Sequence, residues 1–173
     1  MKKNITPTNV EAVLRDEDFI VSKTDLKGLI TYGNEIFMEF AKYKEYELLK
    51  QNHNIIRHPD MPRAVFKLLW DTIKAGNEIN AYVKNMSSDG SFYWVYANVS
   101  PVIDINTNKI KGYNSVRRKP KKRALDVIEP IYKQLREVEN KNGFNEGMKL
   151  STDMLNELLE SNNVSYEKFV ATI

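Results

Sequence analysis

A run of ten residues, His53–Pro62, constrains the fold of this chain more than any other segment. Its two prolines prevent it from forming an ordinary helix. It also contains both histidines of the 173-residue chain, together with an arginine and an aspartate. The amphipathic pattern that follows, from Arg63 to Ala75, predicts a helix. Polar side chains held on a stiff backbone at a helix entrance are suited to hydrogen bonding with a buried ligand.

The composition is typical of a soluble globular protein, with 42% hydrophobic and 28% charged residues. No apolar stretch approaches the roughly 18 residues that a membrane span needs. The polar residues that follow the N-terminal Met-Lys-Lys do not form the core of a signal peptide. Because the chain has no cysteine, a disulfide, a thiolate metal site and a cysteine nucleophile are excluded. These features predict a cytoplasmic protein.

Positive charge is concentrated in one segment of the chain. Six of the 26 lysines and arginines lie within residues 117–123, so the rest of the chain is net negative although the whole carries +3. Such a cluster can bind phosphate-bearing partners, or it can be a solvated junction between two structural units. Basic residues do not alternate with aromatic residues along the chain, which argues against nucleic acid as a partner.

Alternating and turn-forming segments predict a mixed domain. Residues 19–32 have the pattern of a β-hairpin, and Asn34 can cap the helix that follows. The strongest predicted helix of this half lies between Pro62 and Gly76. Further strands are predicted over residues 78–86, 91–100 and 110–117. The fold class is therefore α+β, a five-stranded antiparallel sheet with short helices on one face.

Two regions flank this predicted domain. The N-terminal residues form a polar cap, with a short helix expected over residues 10–14. After Pro120, apolar residues recur at helical spacing despite Pro130, which predicts helices over 124–138, 149–160 and 166–171. These amphipathic helices must pack on the domain, on a second copy of the chain or on a partner. The predicted division is an N-terminal cap over 1–17, a sensor domain over 18–119 and a helical extension over 120–173.

Several short motifs lie at fixed places in this order of elements: Asn34, the His53–Pro62 run, Trp70, Asn85, Tyr93-Trp94-Val95 and Gly112-Tyr113. Over about residues 18–118 they resemble the PAS domains of bacterial aerotaxis and energy-taxis receptors. The resemblance implies a PAS fold that binds FAD non-covalently and reports the redox state of the cell to a chemoreceptor. Because the chain is short, it is similar to the stand-alone PAS proteins of this family. Such a protein is expected to act with a membrane-bound chemoreceptor at the inner face of the membrane, without inserting into the membrane itself.

Nine residues are candidates for the cofactor site. The amide of Asn85 both donates and accepts, which suits the pyrimidine edge of a flavin, and the related light-sensing (LOV) domains keep an Asn at this place. Arg57 and His58 could neutralise a pyrophosphate or donate to a ring carbonyl. Asp60 could cap the following helix or orient these two side chains. The remaining candidates are Asn34, His53, Trp70, Trp94 and Arg117.

Most of the remaining candidates have a structural interpretation beside the functional one. Asn34 can be a simple helix cap, and Trp70 can be core or can stack against the ring. Trp94 lies on one face of its strand, and either face could line the site. The resemblance puts Arg117 near a Gln of the LOV domains, and it puts His53 near their reactive cysteine. Without that cysteine the LOV adduct cannot form, which favours redox sensing.

Three functions are compatible with the sequence. The first is a flavin redox sensor, for which the resemblance favours FAD over FMN. The second is a haem or small-ligand sensor with His53 or His58 as the axial ligand. The third is a cofactor-free interaction module that forms a homodimer through its sheet and tail helices. An enzyme is not expected, because the sequence shows no catalytic triad, paired carboxylates or phosphate-binding glycine loop.

Overall fold

The computed structural model describes residues 5–173, so residues 1–4 of the predicted N-terminal cap lie outside the described part. Within it, one antiparallel sheet has the strand order β2-β1-β5-β4-β3. Its strands are β1 Ile20–Thr24, β2 Ile30–Gly33, β3 Ile79–Met86, β4 Phe92–Ile103 and β5 Ile110–Arg118. The predicted five-stranded α+β fold is confirmed. The last strand lies at the centre, between β1 and β4.

Three helices and a 3-10 turn pack on the inner face of the sheet. They are α1 Glu35–Ala41, α2 Glu45–Leu48, the turn His53–Ile56 and α3 Arg63–Lys74. Asn34 caps α1 by accepting the N–H of Phe37 at 3.0 Å. Helix α3 ends at Lys74, and Gly76 just after it has a φ of +91°, the left-handed conformation that glycine adopts without strain. The buried side chains of these elements include Phe37 and Leu69, which join the core over the sheet.

The C-terminal extension forms α4 Lys122–Lys141, α5 Phe144–Ser161 and α6 Tyr166–Thr172. Helix α4 continues through the exposed Pro130, as predicted, because it buries a stripe of apolar residues on its other side. The Tyr132 ring lies 6.2 Å from that of Trp94, and its hydroxyl donates to the Tyr82 carbonyl at 2.8 Å. These contacts lie on the outer face of the sheet. Tyr93, the neighbour of Trp94, instead faces Phe40 of α1.

The segment before β1 differs from its prediction. Residues 10–14 do not form the expected helix. The N–H of Phe92 donates to the Val10 carbonyl at 2.9 Å, and the N–H of Ala12 donates to the Phe92 carbonyl at 2.8 Å. Because β5 pairs with β4 only from Tyr96 onward, the edge of β4 at Phe92 is available to this segment. Across residues 5–173, no helix combines the length and the apolar character that crossing a membrane requires.

Replacing Tyr132 with phenylalanine tests how the extension is held on the sheet. The change removes a buried hydroxyl that donates to the Tyr82 carbonyl. We expect the free energy of unfolding to fall by about 1 kcal/mol in urea denaturation, the usual net contribution of such a bond. The matched control is Tyr46→Phe, because Tyr46 is 73% exposed. Equal stability of the two variants would contradict this packing.

Candidate functional site

A cavity of about 640 Å³ lies between the inner face of the sheet and α3. This volume is within the range of small-molecule sites. The sheet contributes a polar wall that includes Ser22, Asn85 and Ser115, and α3 contributes an apolar wall that includes Phe66, Leu69 and Trp70. A space with one polar and one apolar wall suits a flat ligand with a polar edge.

Asn85 contributes to this cavity a buried side-chain N–H donor. It lies on β3 and is 4% exposed, and a backbone bridge pairs it with Arg57. Its Nδ2 has no hydrogen-bond acceptor among the described residues. Leaving a buried donor unpaired costs about 1–3 kcal/mol. A ligand acceptor in the cavity would remove that cost.

Arg117 forms the centre of a second polar group, directly behind the cavity wall. It is 2% exposed, and its side chain projects from β5 toward β1. Its Nε donates to Ser115 Oγ at 2.9 Å, and its Nη2 contacts Ser22 and lies 3.0 Å from His53 Nε2. Its Nη1 has no partner within residues 5–173. Burial lowers the pKa of Arg117 to about 10, so the guanidinium stays charged at neutral pH.

His53 must be neutral in this arrangement. A guanidinium can only donate, so Nε2 of His53 accepts the bond from Arg117 and the ring proton lies on Nδ1. The Ser22 hydroxyl lies 3.0 Å from the same Nε2, and the ring stacks on Phe37 at 5.8 Å. Burial, and then the Arg117 charge, lower the pKa of His53 to about 3. The site therefore combines a fixed positive charge with a neutral imidazole.

Arg57 and Trp70 also line the cavity. The Arg57 Nη2 donates to the Met61 carbonyl at 2.9 Å, and its guanidinium lies 4.4 Å above the Phe66 ring. Burial lowers the pKa of Arg57. The Trp70 ring meets Tyr113 edge-on at 5.4 Å, which fixes its plane at the apolar wall.

Besides Arg117, which lies behind the wall, four of the nine predicted residues lie outside the lining of this cavity. Asn34 links α1 to β1, because its amide donates to the Phe19 carbonyl and accepts the Val21 N–H. The other three stabilise the run before α3 or the outer face of the sheet. His58 is buried and its Nδ1 accepts the Asp60 N–H, Asp60 pairs with Lys84 at 2.7 Å, and Trp94 packs under Tyr132. The structure thus brings together His53, Arg57, Trp70 and Asn85, with Arg117 behind them.

Other residues of the lining were missed by sequence reasoning. Ser22 and Ser115 are direct partners across β1 and β5, so strand alternation could have placed both on the inner face. Phe144 and Met148 belong to α5 and reach the mouth of the cavity. Nothing in the sequence pattern indicated that the extension would reach this place.

The predicted basic cluster lies on the opposite side of the sheet. A second cavity there, of about 880 Å³, is lined by Arg118, Lys119, Lys121, Lys122 and Arg123. Arg118 lies 5.1 Å above the Tyr96 ring on the outer face. Arg117 is not part of this surface, because successive side chains of a strand point to opposite faces. The two cavities are therefore separated by the sheet.

Comparison with known proteins shows what this chain is similar to in sequence and fold. A model of the PAS fold matches residues 30–116. The chain is 39% identical over 128 residues to the aerotaxis receptor of Escherichia coli K12. The matched segment covers 74% of this chain and 25% of the receptor. This chain thus matches about a quarter of that relative's length.

Solved structures share the fold at low sequence identity. A light-oxygen-voltage domain studied with a flavin analogue aligns with a TM-score of 0.56 and 18% identity, covering 64% of this chain and 82% of that one. The LOV domain of the blue-light photoreceptor Aureochrome1, in its light state, aligns with a TM-score of 0.55 and 22% identity. That alignment covers 65% of this chain and 88% of the Aureochrome1 chain.

The neutral state of His53 can be tested by NMR. Its ring signals should not titrate between about pH 5 and 8, and the proton should lie on Nδ1. Because the folded pKa is about 3 and the ordinary value is 6.5, the unfolded chain binds a proton that the folded chain does not. The free energy of unfolding should therefore decrease as the pH falls from about 6.5 toward 3. The variant His53→Gln should lose this component, and a midpoint near neutral pH would contradict the assignment.

Proposed function

This chain belongs to the PAS-fold family, and on that premise we propose that it is a redox sensor module that binds a flavin, FAD in particular. The observation that carries the proposal is the buried Asn85 Nδ2 in the cavity wall, which has no acceptor within residues 5–173. Behind the wall, the charged Arg117 has neutral hydrogen-bond partners. The edge of a flavin ring carries carbonyl acceptors, and its faces are apolar. This pattern matches the polar wall of the sheet and the apolar wall of α3.

The choice of FAD rests on the motifs around His53–Pro62 and Asn85, which resemble those of aerotaxis receptors. The extended dinucleotide of FAD would also need a cavity opening that accepts phosphate groups. Arg57, Arg63 and Lys67 line that side of the cavity. Guanidinium groups form paired, charge-assisted bonds with phosphate oxygens.

The residues of the polar wall can convert a change of ligand charge into a change of protein structure. A bound flavin supplies redox chemistry in which the ring gains electrons and protons. The fixed charge of Arg117 favours whichever ligand state is more negative. The Asn85 amide can present its N–H or its oxygen, so a new protonation pattern favours a different side-chain orientation. Either response acts on β3 or β5. Strand β3 contacts the extension through Tyr82, and β4, which pairs with both strands, contacts it through Trp94.

The two other functions are less compatible with this geometry. A haem needs an imidazole nitrogen with a free lone pair facing the cavity, but His53 Nε2 accepts from Arg117. His58 lies outside the lining of the cavity. A cofactor-free module would leave the Asn85 Nδ2 donor, which lines the cavity, without an acceptor among the described residues. We further propose that the module signals to a membrane-bound chemoreceptor from the cytoplasm and does not itself catalyse a reaction.

The proposal is tested by identifying what the purified full chain binds. We expect flavin absorption near roughly 450 nm and release of FAD on denaturation, identified by mass spectrometry. A Soret band would favour the haem alternative. Protein that remains colourless after FAD is added during refolding would overturn the proposal.

The variant Asn85→Leu should separate ligand binding from stability. It should lose flavin, because the amide that meets the ring edge is gone. The ligand-free variant should be more stable than the ligand-free parent by about 1 kcal/mol in urea denaturation, because the unpaired donor is removed. The control is Asn98→Leu, since Asn98 bonds to Asn80 away from the cavity and should leave flavin retention unchanged. Retention of flavin by Asn85→Leu would show that Asn85 does not contact it.

A further inference from the structure

We propose that the α4–α5 hairpin is part of the ligand site: Phe144 and Met148 form its outer wall, and Glu139 is the positioning residue that holds them there. The inference rests on the proposed function, and it assigns a part of the same site to the C-terminal extension. It would make ligand binding and docking of the hairpin mutually dependent.

The first observation is the position of the hairpin at the mouth of the cavity. Phe144 and Met148 of α5 line the cavity together with residues of α3. Phe144 is 68% exposed, and the guanidinium of Arg63 lies 4.7 Å above its ring. An exposed aromatic ring beside a cavity can bury its free face against a ligand that extends through the mouth.

The second observation is that α3 obtains its N-terminal cap from the hairpin. Pro62 occupies the cap position and supplies no side-chain hydrogen bond. The carboxylate of Glu139 replaces it, because Oε1 accepts the N–H of Ala64 at 3.0 Å. An anion at this end of a helix is also stabilised by the helix dipole. The start of α3 is thus completed by a residue 75 positions away in sequence.

The Glu139 carboxylate is itself fully buried and fully bonded. Its Oε2 pairs with Arg63 Nε at 3.2 Å and Arg136 Nη1 at 2.9 Å, and its Oε1 accepts from the Ser151 hydroxyl at 2.9 Å. Burial alone would raise the pKa of Glu139, but these donors outweigh it and lower the pKa. Removing one partner of such a buried group leaves the others uncompensated. The carboxylate therefore joins α3, α4 and α5 at one point.

The third observation is the close approach of α5 to α4. A Cβ added to Gly147 would lie 2.6 Å from the Glu139 carbonyl oxygen, so only glycine allows this crossing. Arg63 Nη2 donates to the carbonyls of Glu139 and Gly143 at 3.0 and 3.1 Å, which fixes the turn between the two helices. The place of Phe144 relative to α3 is therefore determined by packing.

These contacts couple the ligand to the extension through α3. The same helix carries Leu69 and Trp70 of the cavity wall and begins at the Glu139 carboxylate. If the hairpin docks more tightly with the ligand bound, the ligand must bind more tightly with the hairpin docked, by the same factor. Loss of the ligand would then favour undocking of the hairpin, and undocking of the hairpin would weaken ligand binding.

The experiment compares Glu139→Gln and Gly147→Ala with the control Glu137→Gln, which changes an exposed glutamate of the same helix. Hydrogen exchange of α5 is measured on the ligand-free full chain, and the dissociation constant of FAD is measured by fluorescence. We expect both test variants to exchange α5 amides about tenfold faster and to bind FAD about tenfold more weakly than the control. The double variant Phe144→Ala, Met148→Ala should bind FAD more weakly than the control. Its amide hydrogen exchange at Glu139 and Ser151 should equal that of the control.

Three results would overturn the inference. Unchanged exchange of α5 in Glu139→Gln would show that Glu139 does not hold the hairpin. Faster exchange with an FAD affinity within about twofold of the control would show that the hairpin is not part of the site. If Glu139→Gln does not fold, the double variant decides alone, and unchanged affinity there overturns the inference. Failure of the parent chain to bind FAD would instead overturn the proposed function, and the exchange data would still decide on the role of Glu139.

Discussion

The inner face of this sheet is organised around one buried positive charge, the Arg117 guanidinium, which has no carboxylate partner among residues 5–173. Arg117 extends from the central strand into the interior, and its described partners are the neutral groups of Ser22, His53 and Ser115. Burying an ion with only neutral partners is costly. That cost is consistent with the proposed binding of a polar ligand in the adjacent cavity. The neutral form of His53 and the hydroxyls on β1 and β5 follow from the same requirement for acceptors around one guanidinium.

The sheet separates two environments, which the proposed function would connect. Its inner face carries Asn85 and the Arg117 group, and its outer face carries aromatic residues under α4 and α6. A rearrangement on β3 or β5 can reach the extension directly through the sheet. The hairpin of α4 and α5 offers a second route, because Glu139 bonds to the first turn of α3. The extension thus meets the domain both at the back of the sheet and at the mouth of the cavity.

The strands and helices of the fold could be predicted because their patterns depend only on residues close together in sequence. The alternation within residues 78–86 and 91–100 and the Pro62 and Gly76 boundaries of α3 depend only on neighbours in sequence. The cavity residues that lie on those elements, such as Asn85 and Trp70, could therefore be placed. Which face of the sheet Trp94 lies on, and whether α5 contacts the cavity, depend on where the C-terminal extension packs. The amphipathic pattern of the extension does not specify that place. Arg117 was a site candidate through the resemblance alone, because the charge pattern grouped it with the basic cluster, although strand alternation separates it from Arg118.

The most direct test of the central claim observes the Asn85 side-chain amide itself. In a titration of the ligand-free, nitrogen-15-labelled full chain with FAD, its two N–H signals should move strongly and exchange more slowly with solvent as the flavin binds. This is expected because Nδ2 has no acceptor within residues 5–173 and would gain one from the ring edge. Binding of FAD that leaves the Asn85 signals unchanged would contradict the account.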